Sequence, residues 1–539
     1  MQKNLFLGDE AIAQAGIDAG MSGIYAYPGT PSTEITEYVI ASREAREKGI
    51  VATWCANEKT AAEAALGMSY AGKRAMTCMK HVGLNVAADP FINSALTGAN
   101  GGLIFVVADD PSMHSSQNEQ DSRFFGKFAM IPILEPSNQQ EAYDMVHDGF
   151  ELSEKYRVPV MLRITTRLAH SRANVARKAS RPQNQFKLPE DLRQFVLLPA
   201  IARKKYQKHI ALQQHFLQES EQSAYNRYME GDDLSLGIIA CGLAYNYLLE
   251  NYPGRKAPHP VVKISQYPVP SGLVERLYEQ CDAILVLEEG YPLVEEMLKG
   301  LLNKGKEVRG RLDGTLPMAG ELNPNLVAAA LGFRQEPVTP VPDLVAPRPP
   351  SLCKGCPHID TYIGLNEAIE QFGKGRVFSD IGCYTLGALP PYESINSCVD
   401  MGASITMAKG AADAGMHPSV AVIGDSTFTH SGITGLLDAV NDKSNITVFI
   451  LDNATTGMTG GQPSAALDHI EDLCRGVGVE EEHIRVIKPL RKQHEENTRI
   501  ILEELQYEGV SVIIPRRECI QTLNKRMRAK FKAKAAENK

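Results

Sequence analysis

The sequence predicts an α/β protein built from three doubly wound parallel-sheet domains. Three observations carry that expectation. Short apolar runs alternate with helix-period segments over residues 1–180, again over 234–335, and again over 351–515. Between these blocks lie a polar, charged stretch (181–233) and a Pro-rich one, EPVTPVPDLVAPRPP (336–350). Finally, Ser419 to Gln462 reads as strand, turn, helix, strand and Gly-rich loop, the βαβ unit of a parallel sheet.

Size and composition agree. The chain has 539 residues, a net charge of -8 and ten cysteines. That length suits several domains. No apolar run is long enough for a membrane span, and the N-terminus MQKNLFLGDEAIAQAG does not read as a signal peptide, so a cytoplasmic protein is expected. Without a broad basic patch, nucleic acid is not an expected partner. The cysteines do not form a disulfide framework in so long a chain.

Taken in order, the first block places helices at Asp9–Ala19, Glu34–Ala45 and Asn57–Ala71, the last containing a close-packing Gly67. Strands are expected at Gly23–Tyr27, Val51–Cys55, Leu103–Ala108 and Val158–Thr165, with a turn at Pro28–Ser32 and a polar loop at Asp109–Arg123. Pro199–Glu230 reads as a polar helical crossover on the surface. The second block alternates strands at Ser235–Ala240, Val261–Ser265 and Ala283–Glu288 with two helices. It ends in Glu288–Glu289, read as a solvated loop. The third opens with Cys353-Lys-Gly-Cys356-Pro-His358 and continues through Arg376–Ser379 to Asp380-Ile-Gly-Cys383-Tyr384, then to Met401-Gly402.

The chemistry concentrates in the βαβ unit. Its first strand, Val420–Ile423, runs into Gly424-Asp425-Ser426, and its second, Ile446–Leu451, runs into Asp452-Asn453. The helix between them, roughly Ser431 to Asn441, is expected to carry Leu436, Leu437 and Val440 on one face. Parallel strands end at one sheet edge, so Asp425 and Asn453 should lie together where such sheets bind ligands. A carboxylate, an amide oxygen and a nearby carbonyl suit Mg²⁺ holding a diphosphate. The loop Gly457-Met458-Thr459-Gly460-Gly461 allows close backbone approach to phosphate. An acidic strand end in an ordinary βαβ unit is the plainer alternative.

This spacing resembles the GDG…NN signature of thiamine diphosphate (ThDP) enzymes, with Ser426 and Asp452 as departures. The resemblance implies Asp425, Asn453 and the Thr455 carbonyl as Mg²⁺ ligands. It also implies Gly424, Ser426, Gly457, Met458, Cys383, Tyr384 and Gly402 as cofactor contacts. A carboxylic acid is then required against N1′ of the aminopyrimidine, where it promotes deprotonation of thiazolium C2. Glu58 opens a helix of the form E-x-x-A-x-x-x-A-x-G and fits that role better than Glu63; on position alone it complements the helix dipole. Tyr27-Pro28-Gly29-Thr30-Pro31-Ser32 resembles the YPxTPS segment of 2-oxoacid:ferredoxin oxidoreductases, which puts the Thr30 hydroxyl beside substrate. The plainer reading is a rigid turn with Ser32 or Thr33 as N-cap.

Met79-Lys80-His81-Val82-Gly83-Leu84-Asn85 and the loop from Ala108 to Arg123 resemble the alpha subunits of indolepyruvate ferredoxin oxidoreductases, a likeness extending from about residue 4 to 520. His81 is then a candidate polar or acid/base group near substrate, or else a structural histidine. The resemblance implies pyrimidine-binding (1–180), transketolase-C-like (234–335) and diphosphate-binding (351–515) domains, with ThDP bound across a domain or subunit interface. It implies oxidative decarboxylation of an aryl pyruvate with coenzyme A as acyl acceptor and an iron–sulfur electron acceptor. Expected partners are a smaller beta subunit, a ferredoxin or cluster-bearing subunit, and a second copy of this chain. Cys353, Cys356 and Cys383 read first as reduced thiols lining the cofactor pocket; they also match three positions of a [4Fe–4S] site, for which Cys398 or Cys474 would have to be the fourth ligand, and with His358 they offer a zinc site. The family's C-terminal CxxCxxCxxxCP runs are not found after Cys519, where a basic stretch (516–539) stands as a docking element or a solvated helix. That departure keeps two rival readings open, a non-oxidative ThDP decarboxylase or lyase and a catalytically silent scaffold subunit.

Overall fold

The computed structural model describes residues 3–191, 193–302, 304–333, 340–346 and 350–537, with side chains to 531. Parts of the Pro-rich linker (336–339 and 347–349) and the last two residues of the basic stretch lie outside the described residues. The chain divides into two compact units, Met1–Thr339 and Pro340–Lys539.

The first unit holds two large sheets and a two-stranded antiparallel ribbon, Lys3–Leu7 with Arg172–Ala176. The larger runs Gln266–Tyr267, Ile133–Leu134, Val160–Thr165, Leu103–Asp109, Ala75–Lys80, Gly23–Ala26, Val51–Trp54. Its strands are parallel except the antiparallel edge Gln266–Tyr267. The central strand Leu103–Asp109 is buried throughout, as expected for a parallel strand covered on both faces. Its side chains divide by period 2. Ile104, Val106 and Ala108 pack with the helices Gly8–Asp18 and Gln139–Tyr156. Leu103, Phe105 and Val107 pack with Glu58–Tyr70 and Ala88–Thr97.

The second sheet runs Glu307–Arg309, Ala283–Leu287, Leu236–Cys241, Val261–Ile264, Arg227–Met229, parallel except at Arg227–Met229. Apolar residues of both sheets form one continuous core, which explains why the first two blocks belong to one unit. The crossover helix is shorter than its composition suggested, Pro199–Glu221. It buries His209, Phe216 and Ser220, and the chain then joins the second sheet at Arg227–Met229.

Glu288 and Glu289 are not solvated: each is 1% exposed. Glu288 accepts from Arg123 at 3.0 Å and from the backbone N–H of Glu295 at 3.0 Å, capping the helix Leu293–Lys299. Arg123 also pairs with Asp121, and the equally buried Arg163 pairs with Asp109 at 2.7 Å and with Glu135. Two arginines and their carboxylates thus join the sheets through charges that lie far apart in sequence. Charges buried this deeply persist only when paired.

The second unit holds one fully parallel sheet: Val377–Ser379, Ser419–Gly424, Ile446–Leu451, Val510–Pro515, Ile484–Ile487. After Gly424 the chain turns at once into helix at Asp425–Thr427, passes through a wide π turn at Phe428–Gly432, and continues as Ile433–Asn441. Such turns recur near functional sites. The buried face is Gly432, Gly435, Leu436 and Ala439, with Val440 partly buried against the core, whereas Leu437 is exposed.

Candidate functional site

In the first unit, parallel strand ends gather candidate groups on one edge. Gly23–Ala26 leads to Thr30, Val51–Trp54 to Glu58, Ala75–Lys80 to His81, and Leu103–Asp109 to Asp110. Glu58 is the first residue of its helix, whose N-cap Asn57 accepts from the Thr60 N–H at 2.8 Å. It is 4% exposed, whereas Glu63 lies on the solvent face paired with Lys59. Its carboxylate rests on Gly83: a Cβ there would sit 2.4 Å from Oε1. Gly67, expected to pack closely, is exposed, and a Cβ on it would meet nothing within 4 Å. The glycine that makes room in this corner is therefore Gly83.

Thr30 is half-buried, and its carbonyl accepts from the Ser115 hydroxyl at 3.1 Å. Ser32 is the N-cap of Thr33–Ala41, but its hydroxyl turns back to the Gly29 carbonyl at 2.8 Å instead of capping the helix. His81 is 1% exposed, and neither ring nitrogen has a hydrogen-bond partner of ordinary geometry among the described residues. Burial, reinforced by the Lys80 charge, pushes its imidazole down to about 4, so at neutral pH it is an uncharged donor and acceptor. Asp110 anchors the rim loop, accepting from the Ser115 N–H at 2.8 Å, Ser116 Oγ at 2.7 Å and Thr166 Oγ1 at 2.7 Å.

Sequence pattern alone does not single out Lys80. It ends the buried strand Ala75–Lys80 and is itself 9% exposed, its stem packed against the Gly29 backbone. Burial lowers its ammonium to about 8, opposed by Asp110 and Glu58. The only signal in the sequence is a lysine closing an otherwise apolar strand.

In the second unit, the neighbouring parallel strands deliver Cys383, Asp425, Asn453 and Cys519 to one sheet edge. Asp425 is 3% exposed; Oδ1 accepts from the Ser426 N–H at 2.8 Å, while Oδ2 has no partner of ordinary geometry among the described residues. Burial, with Asp452 adding repulsion, raises its carboxyl to about 7. An orphaned, buried carboxylate oxygen is the donor a divalent cation would satisfy. Asn453 Oδ1 accepts from the Thr455 N–H at 3.1 Å, and its amide nitrogen lies 3.2 Å from His358 Nε2 and 3.9 Å from Cys383 Sγ.

The remaining expected contacts surround this edge. Thr456 Oγ1 donates to Ser426 Oγ at 3.0 Å, tying the Gly424-Asp425-Ser426 turn to the loop that carries Gly457 and the exposed Met458. Gly402, at φ +96, lies so close to Ser431 that a Cβ would approach its Cβ to 2.6 Å, and its N–H donates to Asp380. Tyr384 is committed to the interior: its hydroxyl donates to Asp380 and its ring packs on Gly424.

Four thiols converge here. Cys383 is affected electrostatically by Cys356, Cys519 and Cys353, and burial plus these neighbours pushes its thiol to about 12. Cys356 rises to about 11 by burial, with Cys353 and Cys519 adding to the shift. His358 Nε2 sits 3.3 Å from Cys383 Sγ, and burial lowers that imidazole to about 4. The fourth thiol is Cys519, and neither Cys398 nor Cys474 joins it. Cys474 is buried in the helix Ile470–Gly476, and the exposed Cys398 faces Thr385 and is not among the thiols acting on Cys383. No three of the four sulfurs lie within 4.8 Å of one another. Tetrahedral zinc at ~2.3 Å from each sulfur would need them about 3.7 Å apart. Beside Cys519, a cavity of about 770 Å³ is lined by Gly457, Gly460, Gly461, Lys525 and Arg528, the last two on the C-terminal helix Ile520–Glu537.

Comparison with known proteins accounts for both sheet edges. Residues 14–227 match the family described as pyruvate flavodoxin/ferredoxin oxidoreductase, thiamine diP-bdg. Residues 380–513 match the thiamine pyrophosphate enzyme C-terminal TPP binding domain. The chain is 41% identical to the indolepyruvate oxidoreductase subunit IorA of Archaeoglobus fulgidus, covering 96% of this chain and 86% of that one. It is 38% identical to the subunit of the same name from Methanothermobacter thermautotrophicus, covering 96% and 87%. Among solved structures, a 2-oxoglutarate:ferredoxin oxidoreductase from Magnetococcus marinus aligns with a TM-score of 0.50 at 17% identity, over 61% of this chain and 65% of that one, and shares the fold. The relatives are named as subunits, which implies a partner subunit. No helix among the described residues is long and apolar enough to cross a membrane. The chain belongs to the indolepyruvate oxidoreductase subunit IorA family and is a thiamine diphosphate-dependent 2-oxoacid oxidoreductase.

Proposed function

We propose that this chain carries out the oxidative decarboxylation of an aryl pyruvate, of the indolepyruvate or phenylpyruvate type, to arylacetyl-coenzyme A, with electrons leaving through an iron–sulfur centre. The observation that carries the oxidative reading is the convergence of Cys353, Cys356, Cys383 and Cys519 beside Asn453 and His358. A lyase that releases an aldehyde has no use for four gathered thiols. No three of these sulfurs lie close enough to share one zinc ion.

In this reading Asp425, Asn453 and the Thr455 carbonyl hold Mg²⁺, and Ser426, Gly402 and the Gly457–Met458 backbone receive the diphosphate. The unpartnered Asp425 Oδ2 supports that assignment. When bound, ThDP supplies the electron sink for decarboxylation. Glu58, held against Gly83 and largely out of water, places its carboxyl group at the aminopyrimidine. Thr30 and the neutral His81 offer hydrogen bonds to the substrate's keto oxygen. The thiols lose their protons on binding iron. A second copy of this chain, a smaller beta subunit and a ferredoxin-type acceptor complete the proposed enzyme.

The test is an assay of the anaerobically purified enzyme with its partner, supplied with indolepyruvate, phenylpyruvate or pyruvate, with and without coenzyme A and a dye acceptor. Coenzyme A-dependent dye reduction with the aryl substrates is expected. Aldehyde release without an acceptor would overturn the reading in favour of a lyase.

A further inference from the structure

A 2-oxoacid brings a carboxylate into a largely buried corner, and a charge there needs a partner. The first unit buries five cations among its described residues: Lys80, Arg123, Arg163, Lys263 and Arg311. Four are committed. Arg123 and Arg163 pair with Asp121, Glu288, Asp109 and Glu135, and Lys263 pairs with Glu141. Arg311 donates to the carbonyls of Glu288, Pro317 and Gly320.

Among these residues, Lys80 pairs with no carboxylate and, unlike Arg311, is not saturated by carbonyls. Its Nζ donates once, to the Ser115 carbonyl at 2.9 Å, although an ammonium has three donors. That single bond aims it into the corner. Ser115 also donates to the Thr30 carbonyl at 3.1 Å, so one residue links the ammonium to the turn carrying Thr30. Packing of its stem on Gly29, with a Cβ there only 3.3 Å from Lys80 Cγ and Cδ, prevents the chain from swinging away. Asp110 steadies the loop from below through the Ser115 N–H. Glu58 lies near enough to favour the charged ammonium.

We infer that Lys80 is the substrate-carboxylate binding residue, its two spare N–H donors receiving the carboxylate of the 2-oxoacid while Thr30 and Glu58 attend the reacting centre. The inference rests on the proposed placement of Thr30 and Glu58 at the reactive end of the cofactor. An ammonium is a point charge rather than a bidentate fork, so the contact fixes charge more than orientation. It is made to the group that leaves as carbon dioxide, so it belongs to ground-state binding and should appear in KM before kcat.

The test uses the assembled enzyme loaded with Mg²⁺ and ThDP, with Lys80→Met and Lys80→Arg compared to wild type. Two non-reacting ligands serve as probes by calorimetry, 3-indolepropionate and its neutral amide. Lys80→Met should weaken the carboxylate at least about 10-fold and the amide less than about 3-fold, with ThDP affinity unchanged. Lys80→Arg should recover most of the carboxylate affinity. In turnover, KM for the 2-oxoacid should rise by a similar factor with kcat within about 3-fold. Equal weakening of acid and amide, or no weakening of either, overturns the assignment. Calorimetry needs no turnover, so its outcome is separate from the success or failure of the aryl pyruvate assay. A wild-type enzyme that binds the probe acid no better than the amide also overturns the role of Lys80.

Discussion

Gly83 and Glu58 are fitted to each other: a methyl group on Gly83 would stand 2.4 Å from Glu58 Oε1 and 2.7 Å from its Cγ. The contact joins the start of one helix, Glu58–Tyr70, to the first turn of another, His81–Val86. Gly83→Ala should therefore displace the carboxylate while leaving the Mg²⁺-binding unit intact. Turnover is expected to fall on the order of 100-fold, as for an ~1 Å misplacement of a reacting group, with ThDP still bound. Measured ThDP content together with kcat decides it. Full turnover in Gly83→Ala, or in Glu58→Ala with the cofactor bound, would remove Glu58 from its proposed role.

Asp425→Asn should act in opposite directions on the empty and loaded protein. Loss of a buried carboxylate with an unpartnered oxygen stabilises the empty protein by about 1–3 kcal/mol at neutral pH. Loss of the anionic ligand weakens Mg²⁺-dependent ThDP binding at least about 10-fold. Thermal melts with and without Mg²⁺ and ThDP show both effects. An unchanged stabilisation on adding cofactor would contradict the assignment of Asp425 as a metal ligand.

Asp9 is fully buried in the first turn of Gly8–Asp18, and neither carboxylate oxygen has a partner of ordinary geometry among the described residues. Burial first, then repulsion from Glu34 and Glu10, raises its carboxyl well above the usual range. A carboxyl raised in the folded state contributes stability that is fully present below about pH 4, its unfolded value, and is lost as pH climbs toward the folded value. Asp9→Asn does not titrate, and its amide can donate to Glu34. Its Tm should match wild type near pH 4 and exceed it increasingly toward pH 8. Parallel curves across that range would show that Asp9 does not titrate as described.

Much of the fold and of the site is legible in the sequence because it follows from local pattern. The alternation of strands and helices locates each parallel sheet, and the βαβ rule alone brings Asp425 and Asn453 to one edge. What escapes depends on neighbours distant in the chain. Glu288–Glu289 looks like a solvated loop until Arg123 and Arg163 arrive from another strand end. Cys519 follows the strand Val510–Pro515, and only the pairing of that strand with Ile446–Leu451 brings the thiol to Asn453. From the sequence, Cys398 or Cys474 would have to be the fourth ligand, and nothing in the pattern places either one there. Lys80 is hidden for a different reason: a lysine closing an apolar strand carries no periodic signature, and its significance appears only once every other buried cation of the first unit is seen to be committed.

The proposed exit of electrons turns on Cys519, whose N–H donates to the Asn453 carbonyl at 3.1 Å and so fixes the fourth thiol to the proposed Mg²⁺ edge. Iron, acid-labile sulfide and ThDP should be measured per chain in anaerobically purified wild type and Cys519→Ala, each with its partner subunit. A cluster held by the four thiols predicts about four fewer iron ions per chain in the variant, with ThDP retained. Equal iron in the two proteins, or an iron-free wild type, would contradict it.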